Sequence, residues 1–345
     1  MRVLFVTQAL DLDEPVLSTY HEWVSALANR VDHVEAICLK EGRHELPKNV
    51  RVHSLGKEDG RQSKMQYALR FFLLSWKLRN EYDVVFVHMN QEYILISGWL
   101  WKLLGKRVYL WRNHYAGSFL TDVTSFFCTK IFCTSRYSYT ARYKKTVFMP
   151  VGVDVGRFIA RAGVVRKPQS ILFFSRMSPS KRPEILLEVL ALLKEKDVSF
   201  TASFYGSPLP EDVPYYEGLK RLAEEKDLND VVSFFSGVVN KEAPDVFQAH
   251  EIFVNCSRSG MFDKVLFEAA ASGCLVLAVS EDLGREAGSE FIFDEADPTD
   301  LAEKIEKWLA IDLVGGTEAL ETLMAMAKRH SSGTLFDTLY AEMGT

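Results

Sequence analysis

The sequence predicts an α/β protein built from two Rossmann-like domains, each a doubly wound parallel sheet. The chain of 345 residues is long for one core and suits two domains of roughly 150 residues each. Short β-branched or aromatic runs alternate with longer helix-like segments, which is the pattern of βαβ units. The alternation stops in the Pro- and Gly-containing segment PVGVDVGRF, residues 150–158, and then resumes. An interruption of this kind by Pro and Gly is typical of a linker between domains.

The elements of both halves follow from apolar runs of about five residues, which suit strands covered by helices on both faces. In the first half, the predicted strands are residues 3–7, 34–39, 84–88, 107–111, 130–135 and 146–150, and the predicted helices are residues 16–30, 61–80 and 93–104. In the second half, the predicted strands are residues 170–174, 199–205, 231–235, 251–255 and 274–279, and the predicted helices are residues 183–193, 212–225, 262–271, 299–311, 317–329 and 334–343. We therefore expect an N-terminal domain over 1–150, a linker over 151–165 and a C-terminal domain over 166–329.

Composition favours a cytoplasmic globular protein. Apolar residues make up 48% of the chain and charged residues 25%, as in soluble domains with an ample core. The five cysteines are scattered without metal-ligand spacing and predict reduced core thiols. The chain opens on the strand-like MRVLFVT, which leaves no room for a signal peptide, and it has no uncharged apolar run of about 18 residues.

The charge is distributed unevenly between the halves. Residues 1–150 carry 21 Lys and Arg against 14 Asp and Glu, whereas the remainder carries 20 against 32. A basic half suits an anionic ligand or a membrane surface, or is simply a solvated imbalance. Within it, residues 61–80 combine cations such as Arg70 and Lys77 with Phe71 and Trp76. This segment indicates either a peripheral contact at the inner membrane face or an ordinary core helix with its cations at the surface.

Two cations follow the first strand of the second half. Arg176 and Lys181 occupy the loop after residues 170–174, and Pro183 opens the next helix. An arginine fork, a lysine charge and the amides of a helix N-terminus together suit a diphosphate. The alternative is a pair of solvated loop cations.

A second candidate segment is residues 256–278, CSRSGMFDKVLFEAAASGCLVLA. A polar turn precedes a helix that begins near Phe262, so a further anion or hydroxyl site is expected at this helix end. Glu268 lies among apolar helix residues, with no polar group in the segment that could pair it. Its carboxylate needs hydrogen-bond donors, which ribose hydroxyls would supply, unless it faces solvent.

Taken together, these segments resemble the nucleotide-sugar site of glycosyltransferase family 4, which has the GT-B fold. Residues 176–181 resemble its R-x4-K, and residues 256–278 resemble its S-x-x-E-G-F-G-x4-E-A-M-A-x-G-x-P-V-V-A. Further similarities are PVGVDVGRF for the linker, FYG ending at Gly206, FFSGVV containing Val238, and DEADPTDLAEKIEKWL. The first half matches less well, although RVYLWRNHY resembles the V-x-T-x-H-G segment that contains the family's cleft histidine.

The resemblance implies two domains facing across a cleft, with a C-terminal helix of about 330–345 packing back on the first domain. It implies that Arg176 and Lys181 bind the donor diphosphate and stabilise the leaving nucleotide, that His114 lies near the donor sugar, and that Glu268 holds the ribose. For His114 the alternative is a structural role, and His88 is a weaker candidate. The other residues that would line the substrate site are Ser259, Gly260, Met261, Phe262, Asp263, Lys264, Gly206 and Val238.

The chain departs from the family pattern at three places. Gly260 stands where the family has the acid that contacts the donor sugar, and Asp263 stands where it has a glycine. Asp263 and Lys264 would contact sugar hydroxyls, or form a capping pair at the helix N-terminus. The glycine-rich loop after the first strand is replaced by a segment with Asp11, Asp13 and Glu14 before Pro15, so acceptor recognition is expected to differ. Whether the following His21 faces the cleft stays open.

We therefore expect a hexosyltransferase-like enzyme that moves a sugar from a nucleoside-diphosphate sugar to an acceptor hydroxyl, in glycan, glycolipid or polysaccharide synthesis. The resemblance implies retention of anomeric configuration, no metal and no cofactor. The expected partners are the sugar donor and a glycan or lipid-linked acceptor, and no nucleic acid. Because of Gly260, a GT-B-shaped glycan- or partner-binding protein without turnover is the alternative. A nicotinamide-dependent oxidoreductase is disfavoured because no G-x-G-x-x-G follows the first strand.

Overall fold

The computed structural model describes residues 1–13, 19–60, 62–159, 166–239, 241–259, 262–311 and 317–344. These residues divide into two compact units. The first runs to Met149 and includes the chain from Leu335 onward, and the second spans Pro150–Thr334.

The first unit is built around a parallel sheet whose strand order is β3-β2-β1-β4-β5-β6-β7. Its strands are β1 (Arg2–Leu10), β2 (His33–Glu41), β3 (Val50–Ser54), β4 (Val84–His88), β5 (Arg107–Trp111), β6 (Lys130–Cys133) and β7 (Thr146–Phe148). Its helices are α1 (Thr19–Ala28), α2 (Lys64–Lys77), α3 (Glu92–Leu103) and α4 (Phe119–Phe127). The order reverses at β1, as it does in a doubly wound sheet.

Both faces of this sheet are covered, which explains why β4 is buried along its whole length. Side chains from α2 and α3 form one core with alternate strand residues, and Phe127 at the end of α4 packs against the same core. On the opposite face lie α1 and the last helix, residues 332–344. Edge strand β3 and helix α4 were not predicted. Strand β3 pairs with β2 alone and is only partly buried, so it lacks the continuous apolar run of a central strand.

The second unit has a parallel sheet of order β10-β9-β8-β11-β12. Its strands are β8 (Ser170–Phe174), β9 (Thr201–Tyr205), β10 (Val232–Phe235), β11 (Ile252–Asn255) and β12 (Leu275–Ala278). Its helices are α5 (Val155–Phe158), α6 (Pro183–Glu195), α7 (Val213–Glu225), α8 (Ala243–Gln248), α9 (Lys264–Ala271), α10 (Glu281–Glu286), α11 (Pro298–Leu309) and α12 (Glu318–Arg329), and α13 (Ser332–Gly344) runs into the first unit. The order reverses at β8, so the ligand crevice is expected at the carboxyl ends of β8 and β11.

The two parallel sheets confirm the predicted pair of Rossmann-like units. All five cysteines are buried free thiols, and burial raises the pKa of Cys38, Cys128, Cys256 and Cys274 to about 12. These thiols therefore stay protonated and unreactive. Across the described ranges, every helix is too short or too polar to cross a bilayer.

Candidate functional site

Two loops meet at the switch point of the second sheet. The loop after β8 carries Lys181 and the loop after β11 carries Asp263, and the Lys181 Nζ donates to Asp263 Oδ2 at 2.5 Å. The same ammonium donates to the Ser257 hydroxyl at 3.2 Å. The Lys181 and Asp263 side chains are only 14% and 17% exposed. The fold therefore joins two residues 82 positions apart in the sequence into a sheltered ion pair.

Asp263 is ionised in this setting. Burial by itself would raise the pKa of its carboxyl, but the charge of Lys181 and hydrogen bonds from Lys181, Ser257 and Asn255 hold the pKa below its usual range. Asn255 Nδ2 lies 3.5 Å from Asp263 Oδ2 at the end of β11. The ionised Asp263 carboxylate thus lies beside Lys181, the cation that we expect to bind phosphate.

Asp263 and Lys264, at the start of α9, have different side-chain partners, and their contact with sugar hydroxyls stays a prediction. The Asp263 side chain makes no capping hydrogen bond to the helix, which contradicts the alternative of a capping pair. Lys264 instead lies beside Glu268, with Nζ 3.9 Å from Oε1, one turn along the same helix. This also corrects the expectation that nothing polar nearby pairs Glu268. Its side chain is only 12% exposed, so it does not simply face solvent.

Two arginines in the loop after β8 have different environments. Arg176 is exposed and makes no hydrogen bond or ion pair with another described residue, so its guanidinium can receive a ligand. Arg182 donates from Nε and one terminal nitrogen to the Cys256 carbonyl at 2.9 and 2.5 Å and also pairs with Glu295. Arg182 ties the start of α6 to the end of β11. The sequence has no signal for this clamp, because Arg182 looks like another loop cation.

Gly206 and Val238 lie where β9 and β10 end. A Cβ at Gly206 would lie 1.7 Å from the Ser175 carbonyl oxygen, so only glycine allows the loops after β8 and β9 to approach this closely. Gly237 donates its amide to the Ser207 hydroxyl at 3.0 Å, and Val238 is partly buried against the core. The loops that follow β8, β9 and β10 therefore lie in close contact with one another.

The turn before α9 is described only in part. Gly260 and Met261, both expected to line the site, lie outside the described residues. Ser259 accepts a hydrogen bond from the Glu281 amide at 3.0 Å, which fixes its hydroxyl against α10. Phe262 is buried, with its ring centroid 4.7 Å from that of Phe267. A ligand would therefore meet the main chain of Phe262 and not its ring.

A cavity of about 660 Å³ lies beside this turn, between the loops after β11 and β12 and helix α11. Its charged lining has two cations, Arg258 and Lys304, against four acids. The acids are Glu281, Asp294, Glu295 and Asp300. An excess of carboxylates does not suit a diphosphate, so this cavity is a poorer phosphate site than the region of Arg176 and Lys181.

In the first unit, His114 lines a cavity of about 270 Å³ with Arg112, Ala116, Gly117 and Ser118. The Ala116 amide donates to His114 Nδ1 at 2.9 Å, whereas the Ala116 carbonyl lies farther from Nδ1, at 3.3 Å, and already accepts from Arg112. The shorter contact favours a neutral ring with its proton on Nε2. Arg112 donates to the Ala116 carbonyl at 2.8 Å and steadies the same loop. His114 is thereby held as a hydrogen-bond donor at the end of β5.

Other polar residues of the first unit have structural partners. His88 is enclosed by aromatic rings such as Tyr20 and Trp23, and burial lowers its pKa to about 3. It is therefore a neutral core residue. His21 Nε2 accepts the Glu45 amide at 2.9 Å, and burial lowers its pKa too.

The acids after the first strand face cations. Asp11 lies 3.4 Å from Lys40, and Asp13 lies 2.8 Å from Arg43. Among the described residues, no group of His, Cys, Asp and Glu side chains is arranged to hold a metal ion.

The chain is similar to known glycosyltransferases. Among relatives, the D-inositol 3-phosphate glycosyltransferase of Streptomyces griseus is 28% identical over 199 residues, which cover 55% of this chain and 41% of that protein. The enzyme of the same name from Streptomyces scabiei is 31% identical over 155 residues, 41% of this chain and 35% of that protein. The chain thus spans less than half the length of these relatives.

Solved structures resemble the whole chain. HepE of Anabaena, in complex with UDP and glucose, has a TM-score of 0.78 at 17% identity, with both chains fully covered. WaaG, a glycosyltransferase involved in lipopolysaccharide biosynthesis, has a TM-score of 0.69 at 15% identity and covers 99% of each chain. At this identity the likeness establishes the fold, and it confirms the GT-B class. The model of the family described as glycosyl transferases group 1 matches residues 156–329, just over half of the chain. The chain therefore belongs to the glycosyl transferases group 1 family.

Proposed function

We propose that the protein is a glycosyltransferase that moves a sugar from a nucleoside-diphosphate sugar to an acceptor hydroxyl. The observation that carries the proposal is the position of Arg176 and Lys181 at the carboxyl end of β8, where the sheet order reverses and anionic ligands bind in open parallel sheets. The family match supports the transferase class. The complexes of the structural neighbour HepE with UDP and with UDP-glucose support a nucleotide-sugar donor.

The proposed chemistry is stabilisation of the leaving group. As the bond between the sugar and the donor phosphate breaks, negative charge grows on the departing nucleotide. Arg176 would fork two phosphate oxygens, and Lys181 and the amides at the start of α9 would add positive potential. Because these groups supply the charge that a cation supplies elsewhere, we propose that the reaction needs no metal. Retention of anomeric configuration is proposed from the family resemblance.

Three further residues receive roles in this proposal. His114 would donate from Nε2 to the donor sugar, since its Nδ1 is already occupied by the Ala116 amide. Glu268 would accept the ribose hydroxyls, and its partly buried carboxylate beside Lys264 supports that role. Asp263 would compete with the donor phosphate for Lys181, because a phosphate oxygen and the Asp263 carboxylate need the same ammonium.

The acceptor is proposed by chemistry class. We propose a hydroxyl on a glycan or on a lipid-linked acceptor. The relatives named D-inositol 3-phosphate glycosyltransferase, and WaaG, which is involved in lipopolysaccharide biosynthesis, are consistent with an acceptor of this class. The alternative is a protein that binds a nucleotide or glycan without turnover. The observation that favours it is Gly260, which stands where the resembling family has an acid that contacts the donor sugar.

The test is a thermal-shift screen of nucleoside diphosphates and their sugars, followed by assays of hydrolysis and transfer. We expect at least one nucleotide to raise the melting temperature of the wild-type protein. Arg176→Ala and Lys181→Ala should abolish that shift, whereas Arg221→Ala, at an exposed arginine of α7, should keep it. The proposed pocket is wrong if no nucleotide shifts the wild type, or if both pocket variants behave as the wild type does. Binding without hydrolysis or transfer would establish the alternative.

A further inference from the structure

Helices α2, α3 and α4 carry an unusual outer surface. Of the nineteen large hydrophobic side chains that are exposed in the described part of the chain, ten belong to these three helices and the residue that ends α3. We call this surface the apolar face; it consists of Met65, Leu69, Leu73, Trp76, Trp99, Leu103, Leu104, Phe119, Leu120 and Phe126. Such a concentration is typical of interaction sites, because soluble proteins rarely expose large contiguous apolar patches.

The clearest part of the apolar face is a stripe along α2. Met65, Leu69, Leu73 and Trp76 follow one another at the i, i+4, i+8 and i+11 spacing that puts side chains in one line along a helix. They are 46–78% exposed. The opposite side of α2, which includes Phe71, already fills the core under the sheet. The stripe is therefore not needed to attach α2, and a helix that met only water would have polar residues there.

The stripe continues onto the neighbouring helices. The rings of Phe72 and Trp99 stack with centroids 5.7 Å apart and connect α2 to α3. The Lys102 ammonium lies 3.6 Å from the centroid of the Phe126 ring and connects α3 to α4. The exposed apolar side chains thus form one surface across three helices.

The charges on the three helices are mainly positive. They carry four Lys and Arg, namely Lys64, Arg70, Lys77 and Lys102, against two acids, Glu92 and Asp122. Arg79 lies with its guanidinium carbon 4.3 Å from the Trp76 ring centroid, so a cation borders the apolar stripe directly. The nearest acid of α4, Asp122, is held by Arg142, Tyr139 and Tyr143. The partner of this face should therefore be apolar and anionic at once.

We propose that the apolar face docks on a bilayer that contains anionic phospholipids. Leucine, methionine and aromatic side chains would enter the boundary between headgroups and acyl chains, and the lysines and arginines would contact the lipid phosphates. A second copy of this chain fits less well, because pairing the face with itself would bring cations against cations. The proposal rests on exposure and charge in the first unit and is independent of sugar transfer.

The test is flotation with vesicles of phosphatidylcholine alone or mixed with phosphatidylglycerol. We expect the wild-type protein to bind the mixed vesicles, with the bound fraction falling as salt rises. The double variant Leu69→Asp/Leu73→Asp should lose at least tenfold in partition coefficient. The matched control Val213→Asp/Ile311→Asp makes the same exchange at two exposed apolar residues of the second unit and should bind as the wild type does.

A second variant keeps the test decisive if the first does not fold. Lys64→Gln/Lys77→Gln leaves the apolar side chains in place and should weaken binding to the mixed vesicles about fivefold. The proposal is overturned if the wild-type protein does not float with mixed vesicles, if neither variant weakens flotation, or if the face instead joins two copies of the chain in sedimentation experiments. A nucleotide thermal shift on the same samples separates the proposals: vesicle binding without nucleotide binding contradicts the proposed function alone, and the reverse contradicts this inference alone.

Discussion

Asp263→Asn should tighten the binding of a nucleoside diphosphate. The Asp263 carboxylate accepts a hydrogen bond from the Lys181 ammonium at 2.5 Å. A donor phosphate that uses Lys181 must therefore replace or share this partner, next to a carboxylate of its own sign. Asparagine keeps the size of the side chain and an oxygen that accepts from Lys181, but it removes the charge. The substitution thus weakens the pair with Lys181 and relieves the repulsion between residue 263 and a bound phosphate.

The size of the effect follows from the geometry of the pair. Both side chains are mostly buried, so an effective dielectric constant of about 20 applies, and two unit charges about 5 Å apart then repel by about 3 kcal/mol. Screening by water and salt that enter with the ligand reduces this value to about 1–2 kcal/mol. The expected gain in affinity is therefore about 5- to 30-fold in Kd.

Isothermal titration calorimetry with UDP measures this gain directly. The control is Glu188→Gln, which removes one carboxylate from α6 whose Oε2 lies 2.6 Å from Lys226, away from the site. It should leave the Kd unchanged, which separates a local effect from a change in net charge. If Asp263→Asn binds UDP equally or more weakly than the wild type, competition for Lys181 is refuted.

Three other predictions concern single residues. Burial holds the pKa of His88 at about 3, while the unfolded chain takes up the proton near pH 6.5, so stability should fall as the pH drops through this interval, by up to about 1.4 kcal/mol per pH unit. Urea unfolding of His88→Phe should show a smaller loss between about pH 7 and 5 than the wild type, and parallel curves would contradict the assignment. Gly206→Ala should cost about 3 kcal/mol or prevent folding, because its Cβ would lie 1.7 Å from a carbonyl oxygen. In the control Gly218→Ala the new Cβ would meet only the Arg221 side chain, at an ordinary contact distance of 3.8 Å, so its melting temperature should stay equal or rise. In calorimetry, Glu268→Gln should weaken the binding of UDP about tenfold and leave the binding of pyrophosphate unchanged. Equal losses of affinity for the two ligands would refute a ribose role.

Much of the fold can be read from the sequence because its signals are local. Strands such as β4 are buried on both faces, so their residues form continuous apolar runs that are visible without any tertiary information. Edge strand β3 was missed because it pairs with β2 alone and is only partly buried. The positions of Arg176 and Lys181 at a strand end were also predictable, since parallel strands and their loops alternate regularly.

Contacts between residues that are far apart in the sequence could not be predicted in this way. The neighbours Asp263 and Lys264 suggest a local pair, but their side chains point to different partners: Asp263 to Lys181, 82 positions away, and Lys264 to Glu268. The outer stripe of α2 shows the same limit. This helix is apolar on two sides, so periodicity cannot say which side meets the sheet. The sequence by itself determined the α/β class, the family and the cations at the strand end, because these depend on residues close together along the chain. Only the tertiary structure decided which charge Lys181 holds and which apolar side chains stay exposed, because both depend on which distant segments the fold brings into contact.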